Sequence, residues 1–280
     1  MSPAALALLL AAAPLQVGVT LHPVYSWAAQ VASGLPVEVR PVLPAEVDVG
    51  SYRPAAADVA ALAHLDVLLI NGLGHDDVIL PMLAASGSRI CRVVRLNEGT
   101  ALLKSFHGDG PNPHTFLSFT NAIQQSYLLA RVLGELRPEL GPGLQRNASA
   151  FAARLRAQRA RALQRLGPAR TRRVVTVHDG YGYLLQELEL TLVDVLEPAH
   201  GLQPSAAELG ALLRRLDQEP VKVVLAEERF PPALREVLEA HGARVVVVSH
   251  IATGAFTADR FEQELQRSVD AIAEALGAPP

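Results

Sequence analysis

Four histidines each follow a short apolar run of the kind that forms a buried strand. The pairs of run and histidine are 17–21 with His22, 66–70 with His75, 174–177 with His178, and 244–248 with His250. A fifth histidine, His114, lies in the sequence Asn112-Pro113-His114. Because open α/β sheets bind ligands at the carboxyl ends of their strands, we expect the five side chains to line one cleft. We therefore expect a cleft that binds a small ligand.

Strand and helix patterns alternate in the first part of the chain. The predicted strands are 17–21, 37–42, 66–70 and 89–94, and the predicted helices between them are 23–32, 56–65 and 76–85. This alternation favours a parallel sheet with helices on both faces. We assign residues 15–117 to an N-terminal α/β lobe.

The chain then becomes helical over residues 118–168. Helices are predicted at 119–136 and 144–166, with a break at 138–142. In the longer helix one face is apolar and the other is rich in arginine, which is typical of a solvated helix surface. The apolar face comprises Phe151, Leu155, Ala162 and Leu166. We expect this helix to be a rigid connection between two lobes.

The pattern of alternating strands and helices returns in residues 169–280, which we assign to a C-terminal α/β lobe. Its predicted strands are 174–177, 191–196, 221–226 and 245–248, and its predicted helices are 181–187, 205–216, 232–241 and 258–276. Ser205 and Glu208 have the spacing of a capping box at the start of the second of these helices. The predicted fold class is therefore α/β, with two lobes that each contain a parallel sheet flanked by helices.

Composition limits the classes of function. With 280 residues, 50% of them hydrophobic, the chain is long enough for two lobes. Its 25 basic and 28 acidic side chains predict no basic face and no nucleic-acid partner. Cys91 is the only cysteine, so it forms no intramolecular disulfide, and we interpret it as a buried structural thiol.

Residues 1–14 resemble a secretory signal. Ala4 to Ala13 is an alanine- and leucine-rich run that is too short to span a bilayer and ends in small residues, as before a cleavage site. The region before it lacks lysine and arginine, so a mis-assigned start and an apolar tail are alternatives. We expect a soluble, exported mature protein.

Motifs for nucleotides and for nucleophilic catalysis are absent from the sequence. There is no Walker loop, and Asn71-Gly72-Leu73-Gly74 lacks the third glycine and the acidic partner of a dinucleotide site. There is also no nucleophile elbow. A metal-dependent enzyme, such as a chelatase or hydrolase, is the less favoured alternative to a binding protein.

Several segments together resemble the periplasmic metal-binding proteins of bacterial zinc and manganese ABC importers (cluster A-I). They are Asn71-Gly72-Leu73-Gly74, Asn112-Pro113-His114-Thr115-Phe116-Leu117, His178-Asp179-Gly180-Tyr181-Gly182-Tyr183, residues 197–205, and Leu225-Ala226-Glu227. The resemblance keeps the same order from Val17 to Leu276. It implies two lobes with a metal ion held between them, a periplasmic location, a permease partner in the inner membrane, and a monomer that is not an enzyme.

The resemblance also implies particular ligands. It places ligand histidines at His114 and His178, whereas the position of the first ligand is occupied by Gly50, which has no donor side chain. The fourth ligand position falls on or beside Ser249, with His250 next to it. Half of the usual site is therefore rearranged.

Other residues supply replacements. His75 is the expected substitute for the ligand missing at Gly50, so the predicted metal ligands are His114, His178, His75 and His250. Possible further ligands, or residues that orient the ligands, are His22, His200, Glu197, Glu227, Asp179 and Ser249. Residues His64, His107 and His241 are assigned no metal.

The leading hypothesis is a binding protein that captures a transition metal, most simply zinc, and delivers it to an ABC permease. Manganese or another divalent metal is the alternative cargo. A second hypothesis is a degenerate site that binds a metal chelate, another small ligand or a protein. For a site of imidazoles, metal affinity should fall as the pH drops through about 6.5.

Overall fold

A computed structural model of the protein describes residues 13–47, 52–53, 55–88, 92–197, 202–218 and 221–278. It contains two four-stranded sheets in which all strand pairs are parallel. The predicted α/β class with two lobes is confirmed. Cys91 and most of the proposed signal segment lie outside the described residues, as do Gly50 and His200.

The first sheet has the strand order β2-β1-β3-β4. Its strands are β1 (Leu15–Val19), β2 (Val37–Pro41), β3 (Val67–Ile70) and β4 (Arg92–Arg95). All four residues of β3 are buried, as expected for a central strand covered on both faces. The sheet therefore forms the core of the first lobe.

Three helices accompany the first sheet. They are α1 (His22–Ala32), α2 (Ala56–Ala61) and α3 (Ile79–Ala85). Helix α1 buries Val24, Trp27, Ala28 and Val31, at the spacing of one helical face. Helix α3 begins three residues later than predicted, because the Asp76 carboxylate accepts hydrogen bonds from the backbone N–H groups of Asn71 and Gly72 and holds that segment in a tight turn.

Two long helices connect the lobes. Helix α4 spans Phe119–Leu136, a 3₁₀ turn covers Pro138–Leu140, and α5 spans Gly141–Leu166. The break is shorter than predicted because a proline is tolerated in the first turn of a helix, where Pro142 lies. The predicted apolar face of α5 is buried as expected.

The second sheet repeats the topology of the first, with the order β6-β5-β7-β8. Its strands are β5 (Arg173–Thr176), β6 (Thr191–Val195), β7 (Val223–Ala226) and β8 (Arg244–Val247), and its helices are α6 (Gly182–Glu187), α7 (Ala206–Gln218), α8 (Pro232–Ala240) and α9 (Arg260–Ala275). The predicted capping box is present, since the N–H of Glu208 donates to Ser205 Oγ and the N–H of Ser205 donates to the Glu208 carboxylate.

The strand order places the site. In each sheet the connection reverses direction between two central strands, β1 and β3 in the first and β5 and β7 in the second. Crevices open at the carboxyl ends of strands at such points. His178 follows β5, Glu227 follows β7, and His250 lies just beyond β8.

No helix in the described part of the chain combines the length and apolar composition that a bilayer span requires.

Candidate metal centre

Three of the predicted ligands meet between the lobes. One ring nitrogen from each of His114, His178 and His250 lies within 4.8 Å of the others, and the three side chains form the one such histidine, cysteine or carboxylate group among the described residues. The residues are only 5%, 3% and 7% exposed. We call these three residues the histidine trio.

Asn112 orients the ring of His114. The Oδ1 atom of Asn112 accepts the backbone N–H of His114 at 2.9 Å and lies 2.9 Å from His114 Nδ1. The amide orientation follows from Nδ2, which donates to the carbonyl oxygen of Asp179 at 2.6 Å. Nδ1 of His114 is therefore the protonated nitrogen, and the lone pair on Nε2 faces the trio.

Glu197 orients His178 in the same way. Its Oε2 lies 3.3 Å from His178 Nδ1, and an ionised carboxylate can only accept a hydrogen bond. The Nε2 atom of His178 then also directs a lone pair into the trio, 3.0 Å from Nε2 of His114. Two lone pairs at this distance repel unless a cation, either a proton or a metal ion, lies against them. Two nitrogens on tetrahedral zinc would be about 3.3 Å apart, given Zn–N distances of about 2.0–2.1 Å.

His250 fits against a glycine. A Cβ atom on Gly180 would lie 2.6 Å from His250 Nε2 and 2.9 Å from His178 Cδ2, so the two rings occupy space that any other side chain would fill. On the other side of the ring, Nδ1 of His250 lies 3.7 Å from Glu227 Oε1. Two carboxylates thus flank the histidine trio.

His75 lies beside the trio but outside it. Its ring stands edge-on to His114 at 5.4 Å and to Phe116 at 5.2 Å between ring centroids. The turn that carries it contains three consecutive residues with positive φ, from Gly72 to Gly74, and the buried Asp76 follows it. The two glycines of this segment therefore serve the turn that places His75.

Three other candidates have different partners. The Nε2 atom of His22 donates to the carbonyl of Gly254 at 2.7 Å. The Asp179 carboxylate accepts the N–H of Phe106 at 2.7 Å, and Ser249 Oγ accepts that of Ile251 at 3.2 Å. None of the three joins the trio. Burial lowers the pKa of His22 and raises the pKa of Asp179.

A hairpin from the first lobe covers the His178 side of the cleft. We call residues 103–112 the hairpin arm; its ends pair through a bridge between Lys104 and Pro111. Besides the Asn112 and Phe106 bonds to Asp179, the N–H of Leu103 donates to the Tyr183 hydroxyl at 3.0 Å. That hydroxyl donates in turn to the Asn112 carbonyl at 2.8 Å.

Sequence reasoning missed Asn112 and Gly180 as parts of the site. Both stood beside predicted ligands, in Asn112-Pro113-His114 and His178-Asp179-Gly180. The signal that would have found Asn112 is an amide two residues before a histidine, since the amide oxygen can accept the ring N–H. For Gly180 the sequence carried no comparable signal, because the residue that needs the space, His250, lies 70 positions away.

Comparisons with known proteins agree with this architecture. The model of the family described as "ZnuA: Zinc-uptake complex component A periplasmic" matches residues 17–275. Structures of the substrate-binding protein FpvC from Pseudomonas aeruginosa with Mn²⁺ and with Ni²⁺ each have a TM-score of 0.86 and 38% identity. Both comparisons cover 94% of this chain, and 98% and 97% of the respective FpvC chains.

A curated relative gives a weaker match over most of the chain. The high-affinity zinc uptake system protein ZnuA of Bacillus subtilis (strain 168) is 21% identical over 249 residues, which are 84% of this chain and 78% of the relative. The family match covers nearly the whole chain and both lobes. The chain therefore belongs to the ZnuA family of periplasmic zinc-uptake components, which are metal-binding substrate-binding proteins and not enzymes.

Proposed function

We propose that this protein captures a single divalent transition metal, zinc in the first place, on the histidine trio and delivers it to an ABC permease. The observation that carries the proposal is the 3.0 Å approach of the Nε2 atoms of His114 and His178. Each ring has its Nδ1 atom against an oxygen, so both Nε2 atoms present lone pairs to the same point. A metal ion satisfies both at once.

The charges match a dication. Imidazoles that ligate a metal are uncharged, while Glu197 and Glu227 stand 3.3 Å and 3.7 Å from the outer nitrogens of His178 and His250. Two carboxylates near a bound divalent ion give a locally neutral site, which reduces the cost of holding charge away from water. The Glu197 carboxylate also fixes the tautomer of His178 and raises the basicity of that ligand.

The space beside the trio suits an ion better than a chelate. The cavity that reaches His250 is about 200 Å³ and is lined in part by Glu227, Arg229 and Arg260. Pockets for small organic ligands usually measure about 300–1,000 Å³. The larger cavity of about 730 Å³ lies in the first lobe against α4, and its lining contains no histidine.

His75 is our proposed fourth ligand. Among the described residues it is the remaining candidate histidine whose ring packs on a member of the trio. Its nitrogens lie outside the group within 4.8 Å, so ligation requires the ring to turn. A tetrahedron of four imidazoles is a site that zinc accepts readily. With His75 in place no coordination position remains for solvent, as expected of a site that transports metal.

A site whose ligands are all nitrogen atoms also predicts an order of metal affinities. Affinity for such donors rises from manganese through nickel and remains high for zinc, while carboxylate-rich sites favour manganese. We therefore expect nickel and zinc to bind more tightly than manganese. Release to a permease outside the cytoplasm is inferred from the family and from the ZnuA relative, together with the signal-like residues 1–14.

Metal stoichiometry and affinity of purified variants test the proposal. We expect one zinc per chain in the parent, and a loss of at least about 100-fold in affinity in His114→Ala and in His178→Ala, since each removes a ligand. His75→Ala should bind more weakly than the parent but better than those two variants. His241→Ala is the matched control, because that histidine bonds to the Val237 carbonyl at the end of α8.

The outcomes separate the alternatives. A parent protein that holds no metal after exposure to zinc, nickel and manganese would contradict the proposal. Equal affinity in the His75→Ala variant and the parent would remove His75 from the ligand set and leave the trio with a solvent or carboxylate ligand.

A further inference from the structure

A segment of the second lobe lies across the first lobe directly after His250. We call residues 251–258 the closing strap. The N–H of Gly254 donates to the Ala45 carbonyl at 2.9 Å. Ser26 Oγ donates to the Thr257 carbonyl at 2.7 Å, and Gln30 Nε2 donates to the Ala258 carbonyl at 3.0 Å. The strap is thus bound to α1 and to the loop after β2.

His22 contacts the strap through both its ring face and a ring nitrogen. Its ring lies parallel to that of Phe256, with 3.8 Å between centroids and 4° between planes. Its Nε2 donates to the Gly254 carbonyl at 2.7 Å, and Tyr25 contacts Phe256 from the side at 5.4 Å. His22 is only 3% exposed. Near its end, the strap therefore makes an aromatic contact with the first lobe in which the His22 ring is buried.

His250 lies between two anchors. Before it, the Tyr181 hydroxyl donates to the Val248 carbonyl at 3.0 Å, which fixes the end of β8 to the second lobe. After it, Ile251 has a φ of 54°, a conformation that a β-branched residue rarely adopts. Such a backbone persists only where the surrounding contacts hold it. The contacts that follow it are those of the strap with the first lobe.

We propose that His22 is a positioning residue that holds His250 in the metal site through the closing strap and is not itself a ligand. This inference rests on the proposed function, because it assumes that His250 binds the metal. The stack on Phe256 and the bond to Gly254 keep the strap against α1. With the strap bound to α1, the His250 ring lies against Gly180 and beside the other two histidines. Metal occupancy and the seating of the strap on the first lobe are therefore coupled.

Phe256→Ala tests the proposal without altering any imidazole. Phe256 is only half-buried, so we expect the variant to fold, with only a small fall in the melting temperature of the metal-free protein. Zinc affinity should fall about tenfold, as faster release, since an aromatic contact of this kind is lost. Hydrogen exchange of the strap amides should speed up. Thr257→Ala is the matched control in the same strap, because its hydroxyl bonds to Asp259 and not to the first lobe.

Two further variants separate positioning from ligation. His22→Phe keeps a ring against Phe256 but has no donor nitrogen. We expect it to retain zinc within about threefold of the parent, whereas His22→Ala should resemble Phe256→Ala. If His22 were a ligand, His22→Phe and His22→Ala would lose affinity equally.

A double variant tests the route through His250. In a His250→Ala background, Phe256→Ala should cause no additional loss of zinc affinity, because the residue that the strap positions is already gone. Full additivity would overturn the proposal, as would parent-like zinc release in Phe256→Ala. A parent protein that binds no zinc would instead contradict the proposed function itself, so the two failures are distinguishable.

Discussion

The hairpin arm and the closing strap cross the same cleft in opposite directions and hold their histidines differently. The arm reaches from the first lobe to Asp179 and Tyr183, and Asn112 at its end bonds both to the second lobe and to the ring of His114. The strap leaves the second lobe after His250. The hydrogen bonds that hold it to α1 lie seven and eight residues after that histidine, at Thr257 and Ala258. His114 is thus fixed by its own hydrogen bond, and His250 by the course of the backbone on either side of it.

This difference assigns the two histidines different roles. We expect a ring oriented by a direct hydrogen bond to keep its direction with and without metal. A ring that depends on contacts of the following segment can withdraw when those contacts break. We therefore expect the metal to leave on the His250 side, where a cavity already adjoins the ring.

Gly180→Ala should have the largest effect, because it acts on the trio directly. The added methyl would lie 2.6 Å from His250 Nε2 and 2.9 Å from His178 Cδ2, so both rings must shift. Zinc affinity should fall by at least about 100-fold, since ligand positions tolerate only about 0.2 Å. Competition with a chromogenic chelator measures this. Gly110→Ala, where a Cβ meets nothing within 4 Å, should bind zinc like the parent.

Asn112→Ala should release the arm and the His114 ring together. Removing a residue that orients a metal ligand typically costs about 10- to 100-fold in affinity. Asn112→Asp keeps an acceptor for the His114 ring but places an oxygen against the Asp179 carbonyl, in place of a donor at 2.6 Å. That variant should show faster hydrogen exchange in the arm than the parent. Identical hydrogen exchange in Asn112→Asp and the parent would show that the arm does not depend on the bond from Asn112 to the Asp179 carbonyl.

Acid should destabilise the fold through His22, which holds the strap. The pKa of His22 is lowered by burial and further by the charge of Arg260, against the opposing effects of the Gly254 and Ala45 carbonyls and of Glu46. The unfolded chain therefore binds a proton near pH 6.5, where folded His22 remains neutral, and stability falls as the pH drops below that value. Urea unfolding of the metal-free protein between pH 7.5 and 5 measures this slope. His22→Phe should show a smaller slope; an unchanged slope would assign the titration to other groups.

Phe106→Ala should have the smallest effect. Phe106 lies on the arm as Phe256 lies on the strap, but it is 41% exposed and it contacts His107 edge-on at 5.0 Å. The arm is held there by the backbone N–H of residue 106, which the substitution retains. Zinc affinity should change less than about twofold, as for most exposed positions. A tenfold loss of zinc affinity would mean that the arm, like the strap, depends on an aromatic contact. The proposed difference between the two segments would then be wrong.

Much of the fold could be predicted because its signals are local. Short apolar runs separated by helical patterns indicated eight strands, and eight are present in two parallel sheets in the described part of the chain. Boundaries were less accurate where a polar side chain reorganised the backbone, as the Asp76 carboxylate does before α3. The effect of such a carboxylate depends on which backbone N–H groups it binds. The spacing of residue types in the sequence does not show which groups these are.

The grouping of candidate histidines was predicted in outline, and their role as metal ligands stays a prediction. The sequence alone determined that His178, His250 and His75 follow strands, because the carboxyl end of a parallel strand is marked by where its apolar run stops. Which histidines meet depends on contacts between segments that are distant in the sequence. His22 follows a strand equally well, yet its Nε2 bonds to Gly254, 232 positions away. The closeness of His250 to Gly180 likewise arises from packing between distant segments. Local sequence sets where a side chain leaves the backbone, and long-range packing sets what it meets.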